Sequence, residues 1–269
     1  MVRKKISKLI KLFFTLDQEE TMFSDKKTSD VQEKIKIKNI PYLTEENFNH
    51  LLHIVYKNGP NKNIDRFSSI IFKFLPKYEI TTELRLIHFL SQIGHESGEL
   101  RYTEELASGR AYEWRRDLGN NRPGDGVRFK GRGLIQLTGR YNYTKFASYI
   151  DDSRLITNPI LIAQDDDLTV LTAFYYWSRT KLNKYADRDD IRRVTRRING
   201  GYNGLSDRIR LYNLAKSNLN RVKILTIQTL LNDKFKFNLV EDGLYGPNTK
   251  NALASKNLNL NNWANTLLG

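Results

Sequence analysis

The chain has 269 residues, 39% hydrophobic and 28% charged, with 6 Pro, a composition that supports a buried core and lies outside the disordered and fibrous classes. It has no Cys, which excludes disulfides, thiolate metal sites and a cysteine nucleophile, and its densest apolar run, Ala173 to Trp177, is far shorter than the roughly 18 residues a membrane-spanning helix requires. Lys plus Arg number 44 against 30 Asp plus Glu, a net charge of +14 that raises the local concentration of polyanions without choosing among nucleic acid, anionic lipid and acidic wall polymers.

In chain order, the opening MVRKKISKLIKLFF places Ile6, Leu9, Ile10 and Phe13 at helical spacing with Lys and Arg on the other face. This short basic amphipathic helix either docks on the domain or lies on an anionic membrane surface. Lys8 and Lys11 interrupt any secretory apolar core, so no cleavable signal peptide is expected. A polar, charged linker follows to about residue 40. Residues 41–220 then read as one mostly helical domain with no sustained alternation of period two.

Four helices are expected there. One starts after Thr81 or Thr82, carries Glu83 in its first turn and stops at Gly98. A second starts at Asn158 with Pro159 at its first position. A third carries Ile191, Val194 and Ile198 and ends at Gly200 and Gly201. The fourth begins at Ser206 and runs through Ile209, Tyr212 and Ala215. After Asn220 the composition shifts to Asn and Leu around a turn-rich EDGLYGPNT, which marks residues 221–269 as a small separate helical module.

In the first of these helices Leu86, Phe89, Ile93 and Glu96 fall on one stripe. A carboxyl that is part buried at the negative end of a helix dipole has its charged form disfavoured twice, which suits a general acid; the alternative is a Glu that turns out to solvent. His95 beside it invites comparison with a zinc protease, but HESGE lacks the second His of that motif and the chain has 4 His, so no metal site is expected. Arg128, Lys130 and Arg132 sit among glycines, where they either pair with carboxylates, contact a wall polymer or form a solvated loop. Phe174, Tyr175, Tyr176 and Trp177 read as core rather than as a sugar platform.

The continuous stretch FLSQIGHESGEL, YTEELASG, PGDGVRFKGRGLIQLTGRYNY, and then INGGYNG and DRIRLYN, resembles glycoside hydrolase family 19, the chitinases and phage-type endolysins. The resemblance implies a lysozyme-like, two-lobed helical catalytic domain that cleaves β-1,4 links of an N-acetylhexosamine polymer with inversion and without cofactor. It carries the general acid to Glu96. An inverting enzyme needs a second carboxylate about 6.5 to 9.5 Å from the first, and Glu105 matches the short-loop endolysin spacing, with Glu104 and Glu113 as neighbouring alternatives. The resemblance places the water-positioning pair at Gln136 and Thr138 and the sugar contacts at Tyr141, Asn142, Asn199 and Arg208. Glu99 departs from the family's HESGG. It adds a carboxylate that either raises the pKa of Glu96 or points outward.

The tail resembles peptidoglycan-binding modules through Asp242, Gly243, Gly246, Pro247 and Thr249. The expected substrate is peptidoglycan or chitin, with peptidoglycan favoured because GNNRPGDG is too rich in Gly, Asn and Pro to build a rigid wall beside the cleft. A monomer without a specific nucleic-acid partner is expected, made in the cytoplasm and acting on the cell wall after release or non-classical export. The rival readings are a lytic transglycosylase, which needs a single Glu, and a non-catalytic binder of wall polymer or nucleic acid.

Overall fold

The computed structural model describes residues 40–268. The amphipathic segment and linker expected over 1–40 lie outside the described residues, except Ile40. Among the described residues there is no strand, and extended pairing is confined to two isolated bridges, Glu104 with Arg132 and Arg132 with Leu137.

Helix α1 (Glu45–Val55) begins at a reciprocal cap in which Thr44 and Asn47 exchange side-chain to backbone hydrogen bonds. It turns back through Pro60 into α2 (Asn61–Phe74). The central helix, α3 (Glu83–Glu96), starts where the sequence places it, its Thr82 hydroxyl accepting the amide of Arg85. Every residue from Leu86 to Gly94 is buried, so α3 is enclosed on all sides and not only along one stripe. At Gly94 a Cβ would lie 2.5 Å from the Tyr56 ring and 3.1 Å from Leu211, so a side chain there would force apart the elements that clasp α3.

After a long irregular segment containing α4 (Asp125–Arg128), the chain forms α5 (Arg140–Tyr149), α6 (Arg154–Thr157), α7 (Leu161–Gln164) and α8 (Asp166–Arg179). The single helix expected from Asn158 does not form. Asp165 has extended geometry and its carboxylate accepts the Leu168 amide at 3.0 Å, so it caps a new helix and separates α7 from α8. The aromatic run of α8 is core as expected: Phe174, Tyr175 and Trp177 are buried, and Phe174 and Trp177 meet Phe89 of α3 at ring-centroid distances of 4.6 and 5.3 Å.

Helix α9 (Asn183–Ala186) leads to α10 (Ile191–Asn199), which is capped by Asp190 and ended by Gly200 at φ 78°. The last long helix, α11 (Leu205–Phe235), starts one residue before Ser206 and continues unbroken for 31 residues. The boundary drawn at Asn220 therefore falls inside a helix. Its C-terminal half carries the tail helices α12 (Pro247–Ser255) and α13 (Trp263–Leu267). Trp263 is buried with its ring centroid 6.1 Å from that of Tyr42, and Lys223 pairs with Glu83 of α3 at 2.6 Å. Apolar burial and an ion pair thus fasten the tail to the rest of the fold.

Candidate active site

Glu96 ends α3, directly beside the start of α11. Gly204 permits this approach, because a Cβ there would lie 2.1 Å from the His95 ring, and its φ of +70° also favours glycine. The first turn of α11 then delivers Asp207 to His95 Nδ1 at 2.8 Å and Arg208 to Glu96. The Arg208 side chain is fully buried, and its other terminal nitrogen donates to Gln92 Oε1 at 2.6 Å. Gln92 precedes Glu96 by four residues and shares its face. A residue sealed in this way has no surface to offer a sugar, so the sugar contact expected of Arg208 gives way to a charge contact with Glu96. Such a guanidinium stabilises the carboxylate that remains once a proton has left.

Glu99 does not point outward. It is 6% exposed and accepts the Asn58 amide at 2.8 Å, the Asn58 side-chain nitrogen at 3.0 Å and Arg210 at 2.6 Å. Arg210 also pairs with Asp207 at 2.8 Å, so His95, Asp207, Arg210 and Glu99 form one chain of contacts around the end of α3. Burial works to raise the Asp207 pKa, but His95 and Arg210 outweigh it and hold the group below the usual carboxylate value. Glu99 has φ 59°, which is the left-handed backbone that explains a glycine at this place in the family motif.

Glu104 and Glu105 lie on adjoining positions of an extended segment, so their side chains part to opposite sides. Glu104 binds Arg132 at 2.9 Å and Lys130 at 3.4 Å. Glu105 accepts the Tyr112 hydroxyl at 2.8 Å and the Gly131 amide at 3.1 Å. Residues 131–138 fold back as a tight turn in which Arg132 and Leu137 exchange backbone hydrogen bonds. That turn holds Gln136 at φ 52°, and the Thr138 hydroxyl donates to the Gln136 carbonyl at 2.8 Å. A Cβ on Gly131 would lie 2.8 Å from Gln136 Oε1 and 3.3 Å from Glu105 Oε2. The missing side chain at Gly131 is what lets those two oxygens converge.

The cationic run around this turn is structural. Arg128 donates to the carbonyls of Ile156 and Thr157, Lys130 to that of Glu105, and Arg132 to that of Arg128 and to Tyr143. Glu113 accepts the amides of Gly124 and Gly126 at 2.6 and 2.8 Å. Buried Asp125 accepts the amides of Asn121 and Arg122 and pairs with Arg140, and Asn120 accepts the Arg140 amide at 2.8 Å. Residues 113–126 are therefore pinned at several points. The loop expected to be too soft for a wall is fixed by Glu113 and Arg140 from outside the Gly-rich stretch and by Asn120 and Asp125 within it, partnerships that a local composition reading does not see.

Tyr141, 48% exposed, and Asn142 lie in the first turn of α5. Arg179 at the end of α8 donates to Asn142 Oδ1 at 3.2 Å and lies 5.6 Å from the Tyr141 ring centroid. Asn199 is exposed at the end of α10. The Tyr176 hydroxyl donates to the carbonyls of Arg197 and Ile198 just before it, at 3.2 and 3.4 Å. The pKa of that hydroxyl is raised by burial and then by the charge of Glu96.

Gln92, Tyr112, Tyr176 and Arg179 were missed from the sequence. Gln92 was legible in principle, as a polar residue on an apolar helix four residues before Glu96. Tyr176 was hidden in a run that reads as core.

In the tail, Asp242, Gly243 and Thr249 build the turn itself. Buried Gln228 of α11 donates to Asp242 at 2.9 Å and to Thr249 at 3.1 Å and accepts the Gly243 amide at 2.8 Å. A Cβ on Gly243 would meet Arg221 Cγ at 2.5 Å, whereas one on Gly246 meets nothing. What the turn presents outward is a groove lined by Asn218, Asn220, Arg221, Leu244 and Tyr245.

Comparison with known proteins identifies the family. A family model described as class I chitinase, glycosyl hydrolase family 19, matches residues 86–196. A glycosyl hydrolase family 19 domain-containing protein of Haemophilus influenzae is 35% identical over 155 residues, which cover 46% of this chain and 74% of that protein. Acidic endochitinase Q of Nicotiana tabacum is 33% identical over 104 residues, 38% of either chain. Among solved structures, chitinase C from Streptomyces griseus superposes with a TM-score of 0.53 at 20% identity, over 64% of this chain and 91% of that one. A bacterial family 19 chitinase gives 0.54 at 19%, over 64% and 93%. These structures share the mainly helical, lysozyme-like fold. The chain belongs to glycosyl hydrolase family 19 and is a glycosidase whose substrates lie among chitin and related wall polysaccharides.

Proposed function

We propose that the protein hydrolyses β-1,4 links of peptidoglycan by single displacement, with Glu96 as general acid and Glu105 as general base. The observation that carries this reading is the division of labour among the acidic groups. Glu99 is buried in a network with Asn58 and Arg210, Glu104 pairs with Arg132 and Lys130, and Glu113 accepts two loop amides, whereas Glu96 meets the buried Arg208 and Glu105 Oε2 lies beside Gln136 Oε1 at Gly131. Glu96 backs onto Arg208, which favours the anion formed when the leaving oxygen takes the proton. Glu105 is oriented by Tyr112 and the Gly131 amide, and its Oε2 converges with Gln136 where a water would be deprotonated. Thr138 fixes the backbone of that turn. Tyr141, Asn142 and Asn199 hold the sugar chain, Tyr141 through its exposed ring face and the two amides by hydrogen bonds.

The tail groove at Arg221 and Tyr245 serves wall attachment, around the Asp242 and Gly243 turn. Cleavage then takes place at the cell wall after release from the cytoplasm, and the +14 charge draws the protein to an acidic envelope.

The test is Glu96→Gln and Glu105→Gln against purified peptidoglycan. Each keeps its fold and loses about 10² to 10⁴ in rate, and NMR of fresh wild-type product shows the α anomer first. Initial β product, or near wild-type turnover by either variant, would overturn the assignment.

A further inference from the structure

Arg179 is an exposed cation built into the proposed sugar-binding surface without an acidic partner. Among the described residues no carboxylate lies in ion-pair range of it. One guanidinium nitrogen is committed to Asn142 Oδ1 at 3.2 Å. The group also lies 5.6 Å from the Tyr141 ring and 5.9 Å from the Tyr175 ring, so its plane is held by two aromatic faces. Lys145 approaches Tyr141 independently, at 5.6 Å. The exposed Tyr141 ring is therefore flanked by two cations.

Chitin gives these two cations only neutral acceptors, because its acetamides and hydroxyls carry no charge. A glycan whose alternate sugars bear lactyl or peptide carboxylates presents anions at intervals along the chain. A guanidinium already oriented by its neighbours meets a carboxylate in forked geometry with little ordering cost. We propose that Arg179, supported by Lys145, reads substrate carboxylates and sets the preference for muramyl glycans over neutral chitin. This inference rests on the reading of Tyr141 and Asn142 as sugar contacts.

The test crosses the charge on the residue with the charge on the substrate. Wild type, Arg179→Gln and Arg179→Lys are assayed on soluble peptidoglycan fragments, on the same fragments after amidation of their carboxylates, and on chitin oligomers. The readout is the ratio of kcat/KM for carboxylated over amidated fragments, which cancels any shared loss from a shifted Asn142. In Arg179→Gln this ratio falls about fivefold, the scale of one exposed charge pair. Arg179→Lys restores most of it, and the wild-type ratio shrinks as salt is raised. An unchanged ratio in Arg179→Gln would overturn the inference while leaving the substrate reading intact. Wild-type cleavage of chitin oligomers with none of either fragment would overturn both.

Discussion

Replacing Glu99 with Gly sets two opposing effects against each other. Glu99 has φ 59°, and a non-glycine residue in that region costs about 1 kcal/mol. The change to Gly relieves this but adds unfolded-state entropy of about 0.5–1 kcal/mol, so the backbone terms nearly cancel. Against them stands the loss of a buried carboxylate that accepts three hydrogen bonds from Asn58 and Arg210. Hydrogen bonds to a charged group contribute about 1.5–3 kcal/mol each. The sum is discounted because Asn58 is exposed and can turn to water, and because Arg210 keeps Asp207.

About 2 kcal/mol of net destabilisation remains, which at roughly 2–4 °C per kcal/mol for a chain of this size lowers Tm by about 4–8 °C. Differential scanning calorimetry of wild type, Glu99→Gly and Glu99→Gln measures it. The Gln variant, which keeps the strain but loses the charge, is expected to be no more stable than the Gly variant. A Glu99→Gly protein as stable as wild type would mean that the carboxylate network contributes nothing to stability.

Glu104→Gln removes the charge partner of a buried guanidinium but leaves Arg132 its contacts with Arg128 and Tyr143. It should cost about 1–2 kcal/mol in thermal unfolding while keeping wall-lytic turnover per folded molecule near wild type, in contrast to Glu105→Gln. Gly204→Ala places a Cβ 2.1 Å from the His95 ring at φ +70°; it should lose about 2–4 kcal/mol of stability and lower kcat by displacing the end of α3, and a normal kcat with a normal melting curve would contradict the close approach. His88 is buried, which holds its pKa below the ordinary 6.5. The folded state therefore binds the proton less readily than the unfolded chain. The associated stability is complete above pH 6.5 and is lost as pH falls from there through the folded pKa. Unfolding midpoints measured from pH 7 to pH 5 should fall in wild type and fall less in His88→Phe, with equal slopes refuting the assignment.

Much of the fold was legible because its signals are local. Thr82 before Glu83 and Gly200 after Asn199 are cap residues that act within one turn, and both act where expected, while Asp190 caps the helix at Ile191 in the same local way. The helix expected from Asn158 was misplaced because Pro159 is a strong start signal and the competing cap at Asp165 sits inside a run of three Asp. The continuous α11 was unreadable for a different reason. Asn and Leu enrichment after residue 220 describes composition, whereas a helix continues unless something stops it, and neither Gly nor Pro interrupts residues 205–235.

In the site, the stripe reading put Glu96 at the right place for an incomplete reason. The periodicity supplied apolar neighbours, but the group that touches the carboxylate, Arg208, comes from 112 residues away. Contacts such as Tyr112 to Glu105 and Arg179 to Asn142 depend on how the irregular segment after Glu105 folds and how α8 packs beside α5, which no local pattern encodes.

The unbroken α11 also sets a ruler for the enzyme. Arg208, touching the proposed acid, and Gln228, anchoring the tail turn, are both on this helix. Their 20-residue separation corresponds to about 30 Å of axial rise at roughly 1.5 Å per residue. A catalytic unit joined to its anchor by a flexible chain samples every bond within a sphere, and its reach grows with linker length. Here the proposed attachment groove and the proposed acid sit at the two ends of a rod. A molecule held at the tail can address bonds only at one fixed reach and must let go to cut elsewhere. Each residue inserted into the middle of α11 would swing the tail by about 100° around the helix axis, changing which stretch of wall it can cut while leaving both ends chemically intact.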